Sequence, residues 1–151
     1  MEKVYYSYEN CIEDCRILIP QIREYDADGL IAIARGGMVL GHLISEALET
    51  REIFTLNSIH YDKMKKLDTF NIFNIPDLSN IKKVVLIDDI VDSGESMIEI
   101  LKILKEKYPS CEFKIATLFY KPTALLQPDF TVREAKHWIE FFWEFDLQEK
   151  K

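Results

Sequence analysis

The chain has 151 residues, the size of one domain, long enough to bury about 68–70% of its unfolded surface without a disulfide or metal staple. Its 48% apolar and 30% charged residues exclude intrinsic disorder. A formal net charge of -7 and a pI of about 5.0 argue against general nucleic-acid binding, while an anionic ligand could still be held by helix N-termini and a few local cations. No apolar run approaches the roughly 20 residues of a membrane span, and Met1-Glu2-Lys3-Val4-Tyr5-Tyr6 carries no signal-peptide core. Cys11, Cys15 and Cys111 lack metal-ligand spacing. Cys11 and Cys15, four apart on one helix face, read as buried thiols of a cytoplasmic protein.

Ser7 is placed to cap a helix on which Tyr8, Ile12, Cys15, Leu18 and Ile22 recur at helical spacing; Pro20 is expected to kink or end it. Asp26-Ala27-Asp28-Gly29 signals a turn, and Leu30-Ile31-Ala32-Ile33 a short buried strand. Gly36-Gly37 breaks that strand, and residues 38–48 read as a helix with Leu40, Leu43, Ile44 and Leu48 on one face. Ile53-Phe54-Thr55-Leu56 is a second strand. Residues 60–80 are polar, lysine-bearing and poorly periodic, and are expected to form a long loop with a little local structure. Lys83-Val84-Val85-Leu86-Ile87 is the strongest strand signal and leads to a helix carrying Met97, Ile98, Ile100, Leu101 and Leu104. Residues 113–118 and Phe130-Thr131-Val132 read as further strands, and residues 138–145 form an aromatic cluster. Alternating strands and helices predict an α/β fold: a mostly parallel twisted sheet with helices on both faces and ligands beyond the C-terminal strand ends.

Two motifs fall at such ends. In residues 84–96, a buried strand delivers Asp88-Asp89, and a loop through Asp92-Ser93-Gly94 enters a helix. The loop's backbone N–H groups and the Ser93 and Ser96 hydroxyls can ring an anion, favoured by the helix dipole. The paired acids suit ribose hydroxyls or a magnesium ion. Together they point to a phosphorylated sugar. The simpler alternative is a strand end and a helix cap built from residues common at such places. Ala34-Arg35-Gly36-Gly37 ends the earlier strand, where two glycines let the backbone approach an anion and Arg35 adds a positive charge. A Gly-Gly turn without a ligand is its alternative. Asp88-Asp89-Ile90-Val91-Asp92 also fits the acidic motif of isoprenyl diphosphate synthases, but there it lies on helices of an all-α fold.

Residues 84–96 resemble the signature of type I phosphoribosyltransferases, which bind 5-phosphoribosyl 1-pyrophosphate (PRPP) with Mg²⁺. Ala34-Arg35-Gly36-Gly37 resembles that family's pyrophosphate loop. Phe119-Tyr120-Lys121-Pro122 and Trp138-Ile139-Glu140-Phe141-Phe142-Trp143-Glu144 resemble the base-recognition segments of its purine branch, in the short xanthine-guanine form. The resemblance covers about residues 29–145. It implies one phosphoribosyltransferase domain over residues 1–151, with a mobile hood loop at about 60–80 and a base-recognition segment at about 119–145.

It further implies that Arg35, Gly36, Gly37, Asp88, Asp89, Ile90, Val91, Asp92, Ser93, Gly94, Glu95 and Ser96 hold PRPP. Asp89 is the expected metal contact. Asp92 is the expected catalytic residue, handling the proton at purine N7, and Asp92, Lys121, Trp138 and Ile139 are the expected base-binding set. The Ala34–Arg35 peptide is expected to be cis. A donor-only Lys121 ammonium suits a 6-oxo group and opposes the 6-amino group of adenine. One of the lysines in the hood loop is expected to reach pyrophosphate. Ser93 and Ser96 stand where the family often has threonine, and Glu95 must turn away from the phosphate. Phe141, Phe142, Trp143 and Phe145 read as core or subunit-interface residues, and His42, His60 and His137 as structural or surface residues. A homodimer or homotetramer is expected. A non-catalytic PRPP- or nucleotide-sensing regulator, or a transferase acting on another base, are the rival readings.

Overall fold

The computed structural model describes residues 2–61 and 69–149. A short strand, β1 (Lys3–Tyr6), leads into α1 (Tyr8–Tyr25). Ser7 caps that helix through a reciprocal pair of bonds with Asn10. Pro20, expected to kink or end the helix, does not end it, and α1 runs on to Tyr25. Pro20 lies on the exposed face, where water can replace the lost bond to the Arg16 carbonyl, while Leu18 and Ile22 stay fully buried on the other side. Asp26, with φ of 57°, closes α1 in the left-handed conformation.

The next elements are β2 (Gly29–Ala34), α2 (Met38–Ala47), β3 (Ile53–Tyr61), β4 (Thr69–Phe73) and β5 (Lys83–Val91). α3 (Glu95–Lys107), β6 (Glu112–Tyr120), β7 (Arg133–Glu134), β8 (Trp138–Phe141) and α4 (Phe142–Phe145) complete the chain. The main sheet has six strands in the order β4-β3-β2-β5-β6-β7, all parallel except the β3–β4 pair. Strands buried on both faces read as unbroken apolar runs. Accordingly Leu30, Val85, Ile87, Ala116 and Leu118 face one core with Leu18, Ile22, Leu40 and Ile44. Ile31, Ile33, Val84, Leu86 and Ile115 face a second core with Met97, Ile100 and Leu104.

Three expectations need correction. The stretch read as a loop over 60–80 contains the end of β3 and all of β4, paired antiparallel from Asn57↔Phe73 to Tyr61↔Thr69. Asp62, Lys63, Lys65 and Lys66, with the lysine expected to reach pyrophosphate, lie outside the described residues. The late strand is Arg133–Glu134, with only an isolated bridge at Phe130. β5 continues through Asp88 and Asp89 to Val91, because β6 pairs with it that far. Cys11 and Cys15 are buried as expected. Among the described residues no helix is long and apolar enough to cross a membrane.

The strand order reverses between β2 and β5. The chain leaves β2 toward β3 on one side and β5 toward β6 on the other. The loops after β2 and β5 therefore open side by side, where ligands of such sheets bind.

Candidate active site

The two loops are in intimate contact. The peptide joining Ala34 to Arg35 is cis, Arg35 is exposed, and the Gly37 N–H donates to the Ile33 carbonyl at 2.8 Å. A Cβ on Gly37 would lie 2.2 Å from the Ile87 carbonyl oxygen, and one on Gly36 would lie 2.7 Å from Asp89 Oδ2. At Gly37 no side chain fits against that backbone, and at Gly36 the Asp89 carboxylate would have to move, so the turn after β2 rests directly on the carboxylate end of β5.

Asp88 Oδ1 accepts the Asp89 N–H at 2.9 Å, and Asp89 Oδ1 accepts the Ile90 N–H at 2.7 Å. After β5, Ser93 Oγ accepts the Glu95 N–H at 3.2 Å. Gly94 takes a φ of 87°, and a Cβ on it would lie 2.9 Å from the Leu126 backbone nitrogen, which makes it a glycine position. The segment after β6 folds over this turn. Lys121 N–H donates to the Val91 carbonyl and Leu125 N–H to the Ser93 carbonyl. The Gln127 amide donates to the Lys121 carbonyl at 3.0 Å, fixing that segment. Lys121 Nζ thereby stands 2.7 Å from Asp92 Oδ1.

Arg35, Gly36, Gly37, Asp88, Asp89, residues 92–96 and Lys121 thus converge at one end of the sheet. Trp138 and Ile139 arrive differently. Their strand, β8, pairs with β1 in a separate two-stranded sheet. Trp138 is exposed, and Phe141 of the same strand packs edge-on against Phe119 at 5.8 Å.

Two neighbours carried no assigned role in the sequence reading. His60, read as structural or surface, stacks on Phe70 at 4.6 Å, and both rings line a cleft with Asp88, Asp92, Ser93, Gly94 and Ser96. Glu144 is pushed up chiefly by burial and also by the charge of Asp89, while Arg35 pulls it down; it therefore stands within electrostatic reach of both. Only the antiparallel pairing of β3 and β4, and the path of the chain after β8, bring these two residues here.

A family model described as phosphoribosyl transferase domain matches residues 3–150. The chain is a phosphoribosyltransferase. It is similar to the Helicobacter pylori xanthine-guanine-hypoxanthine phosphoribosyltransferase structure, with 36% identity and a TM-score of 0.90 over 97% of this chain and 96% of that one. A purine phosphoribosyltransferase structure from Pyrococcus horikoshii shares 31% identity with a TM-score of 0.83, over 99% of this chain and 100% of that one. The xanthine-guanine phosphoribosyltransferase of Idiomarina loihiensis is 29% identical over 79% of this chain and 72% of that protein.

The acid pair of this phosphoribosyltransferase is electrostatically loaded. Burial and then the charge of Asp89 push the Asp88 carboxyl well above the usual range. Burial raises Asp89 too, opposed by hydrogen bonds from Asp88 and the Ile90 N–H. A carboxyl raised by folding favours the folded state below its unfolded pKa, and that contribution is lost as pH rises through the folded value. Asp88→Asn should therefore raise the melting temperature of the metal-free protein at pH 8, and the gain should fade toward about pH 4, near the ordinary carboxyl pKa. Thermal unfolding at the two pH values checks this; a destabilised variant at pH 8 would contradict it.

Proposed function

We propose that this phosphoribosyltransferase transfers the 5-phosphoribosyl group of PRPP to guanine, xanthine or hypoxanthine, giving the nucleoside 5′-monophosphate and pyrophosphate, with Mg²⁺ as cofactor. The carrying observation is the Lys121–Asp92 pair set beside the 92–96 anion loop. The pair supplies one donor and one acceptor, the two groups that a purine's 6-oxo and N7 positions call for.

In this reading the turn at residues 92–96 anchors the 5′-phosphate at the N-terminus of α3. Asp88 and Asp89 hold the ribose hydroxyls. Arg35, Gly36 and Gly37 stabilise the charge that develops on departing pyrophosphate. Carbon 1 of the sugar passes through an oxocarbenium-like state, as in other displacements at that carbon. Asp92 accepts the N7 proton or a hydrogen bond from it, Lys121 donates to the 6-oxo oxygen, and Trp138 offers its ring face, with Ile139 beside it.

The donor chemistry fits magnesium. Asp88 and Asp89 offer only oxygens, and their burial and mutual repulsion favour a cation between them and the substrate. Among the described residues no cluster of three acidic, His or Cys side chains could hold a metal, so substrate oxygens and water would complete the shell around Asp89. Bound there, the ion would neutralise the leaving pyrophosphate. The test is GMP formation from guanine and PRPP, abolished by EDTA and restored by Mg²⁺. PRPP left unconsumed with the metal present would contradict the proposal.

Lys121→Met should raise the KM for guanine about 10- to 100-fold, the worth of one hydrogen bond from a charged donor. The same change should narrow the preference for guanine over adenine. Steady-state kinetics with both bases check this, and an unchanged preference would remove Lys121 from base selection. The exposed Ile59, Tyr61 and Phe73 on the outer ribbon of the sheet support the homodimer or homotetramer. Sedimentation as a monomer at micromolar concentration would contradict that assembly. The free thiols of Cys11, Cys15 and Cys111 support a reducing, cytoplasmic setting.

A further inference from the structure

We propose that Asp14, buried in α1 and far in sequence from every base-binding residue, is a positioning residue that sets the width of the purine slot; the inference rests on the base-binding reading given above. Asp14 is fully buried, yet it is surrounded by donors. Tyr6 Oη donates to its Oδ2 at 2.6 Å. Arg133 donates from Nε to Oδ2 at 2.9 Å and from its terminal nitrogen to Oδ1 at 2.5 Å.

The two donors come from strands paired with the two that lead to the walls of the slot, β8 with Trp138 and β6, which Lys121 follows. Tyr6 ends β1, which pairs with β8 in a register that sets Lys3 beside Trp138 and Val4 beside Ile139. The Trp138 N–H also donates to the Glu2 carbonyl at 2.9 Å. Arg133 opens β7, which pairs with Phe119 and Tyr120, and the residue after Tyr120 is Lys121. The Tyr6 ring packs edge-on against Phe119 at 5.1 Å and Phe141 at 5.6 Å, touching both elements again. Among the described residues the β1–β8 ribbon has no ladder to the main sheet. The shared carboxylate ties the aromatic wall to the lysine wall, and neither strand can shift without breaking a bond to it.

A buried ion pair is weak evidence for stability, since apolar side chains of similar volume often serve as well. What an apolar replacement lacks is direction. The Asp14 network fixes where β1 and β7 sit relative to each other, and this predicts an effect on substrate binding rather than on folding.

Two variants test it. Tyr6→Phe releases β1 from the carboxylate while leaving Arg133 paired, and the double variant Asp14→Leu/Arg133→Met removes the whole network without stranding a buried charge. In each, the KM for guanine should rise about tenfold, with kcat and the KM for PRPP within about twofold of the unsubstituted enzyme. Thermal unfolding run in parallel confirms that the variants are folded. If the unsubstituted protein turns over guanine but the folded variants keep its KM, or if both KM values rise together, the positioning role is overturned and the base-binding reading stands. If the unsubstituted protein turns over no purine, that reading falls and this inference with it.

Discussion

Asp92→Asn is expected to lower kcat for guanine by about 100- to 10,000-fold, the usual worth of a positioned proton acceptor. Asparagine keeps the size and an oxygen for the Lys121 ammonium, which lies 2.7 Å from Asp92 in the native pair, so packing and the position of Lys121 should survive. The variant loses a group able to take or share the N7 proton as the glycosidic bond forms. Because the Asp92 side chain is 64% exposed and the Lys121 side chain 30% exposed, the pair adds little to stability. The melting temperature should hardly move, and PRPP should bind as before through the backbone of the 92–96 loop. Steady-state kinetics beside PRPP calorimetry check both halves. Near-native turnover would remove Asp92 from proton handling.

Gly37→Ala is expected to damage both fold and activity. The added methyl would sit 2.2 Å from the Ile87 carbonyl oxygen and 3.0 Å from the Asp88 Cα. Both are backbone atoms of a central strand, which cannot swing aside as a flexible side chain could. The loop after β2 must retreat, at a cost of about 1–3 kcal/mol for overpacking. Retreat also separates Arg35 and Gly36 from Asp89, which now sits against Gly36. A shift of about 1 Å in a positioning element can lower rate 100-fold. The expected outcome is a lower urea midpoint, and a fall in kcat/KM for PRPP of about two orders of magnitude. A stable variant with native PRPP kinetics would show that the loop does not hold pyrophosphate.

The parts of this fold that could be read from the sequence are those in which local pattern and burial agree. β2 and the first half of β5 are buried on both faces and spell continuous apolar runs, and β6 is buried over its second half. The loops after β2 and β5 carry contiguous glycines, acids and serines, so the candidate site was legible as a string before it was a place. Elements that depend on distant partners were not. β1 is a strand because β8 lies beside it, more than 130 residues later. β4 shows an alternating Phe70 and Ile72, a signal hidden by the polar stretch before it. Pro20 was open to either a kink or an end of α1, because residue type alone does not say that its face is solvent-exposed. Asp14 did leave a trace: a lone acid on the apolar stripe with Cys11, Cys15 and Leu18. Such an acid must find donors when buried, although nothing local names them as Tyr6 and Arg133.

Substrate choice is the central claim, and a spectrophotometric comparison of guanine, xanthine, hypoxanthine, adenine and orotate, each with PRPP and Mg²⁺, tests it most directly. The Lys121 donor predicts turnover of one or more of the three 6-oxopurines and none of adenine or orotate. Turnover of adenine or orotate would contradict the base site built on Lys121, Trp138 and Ile139. PRPP binding with no turnover of any base would contradict the catalytic assignment and leave a sensor of the same ligand.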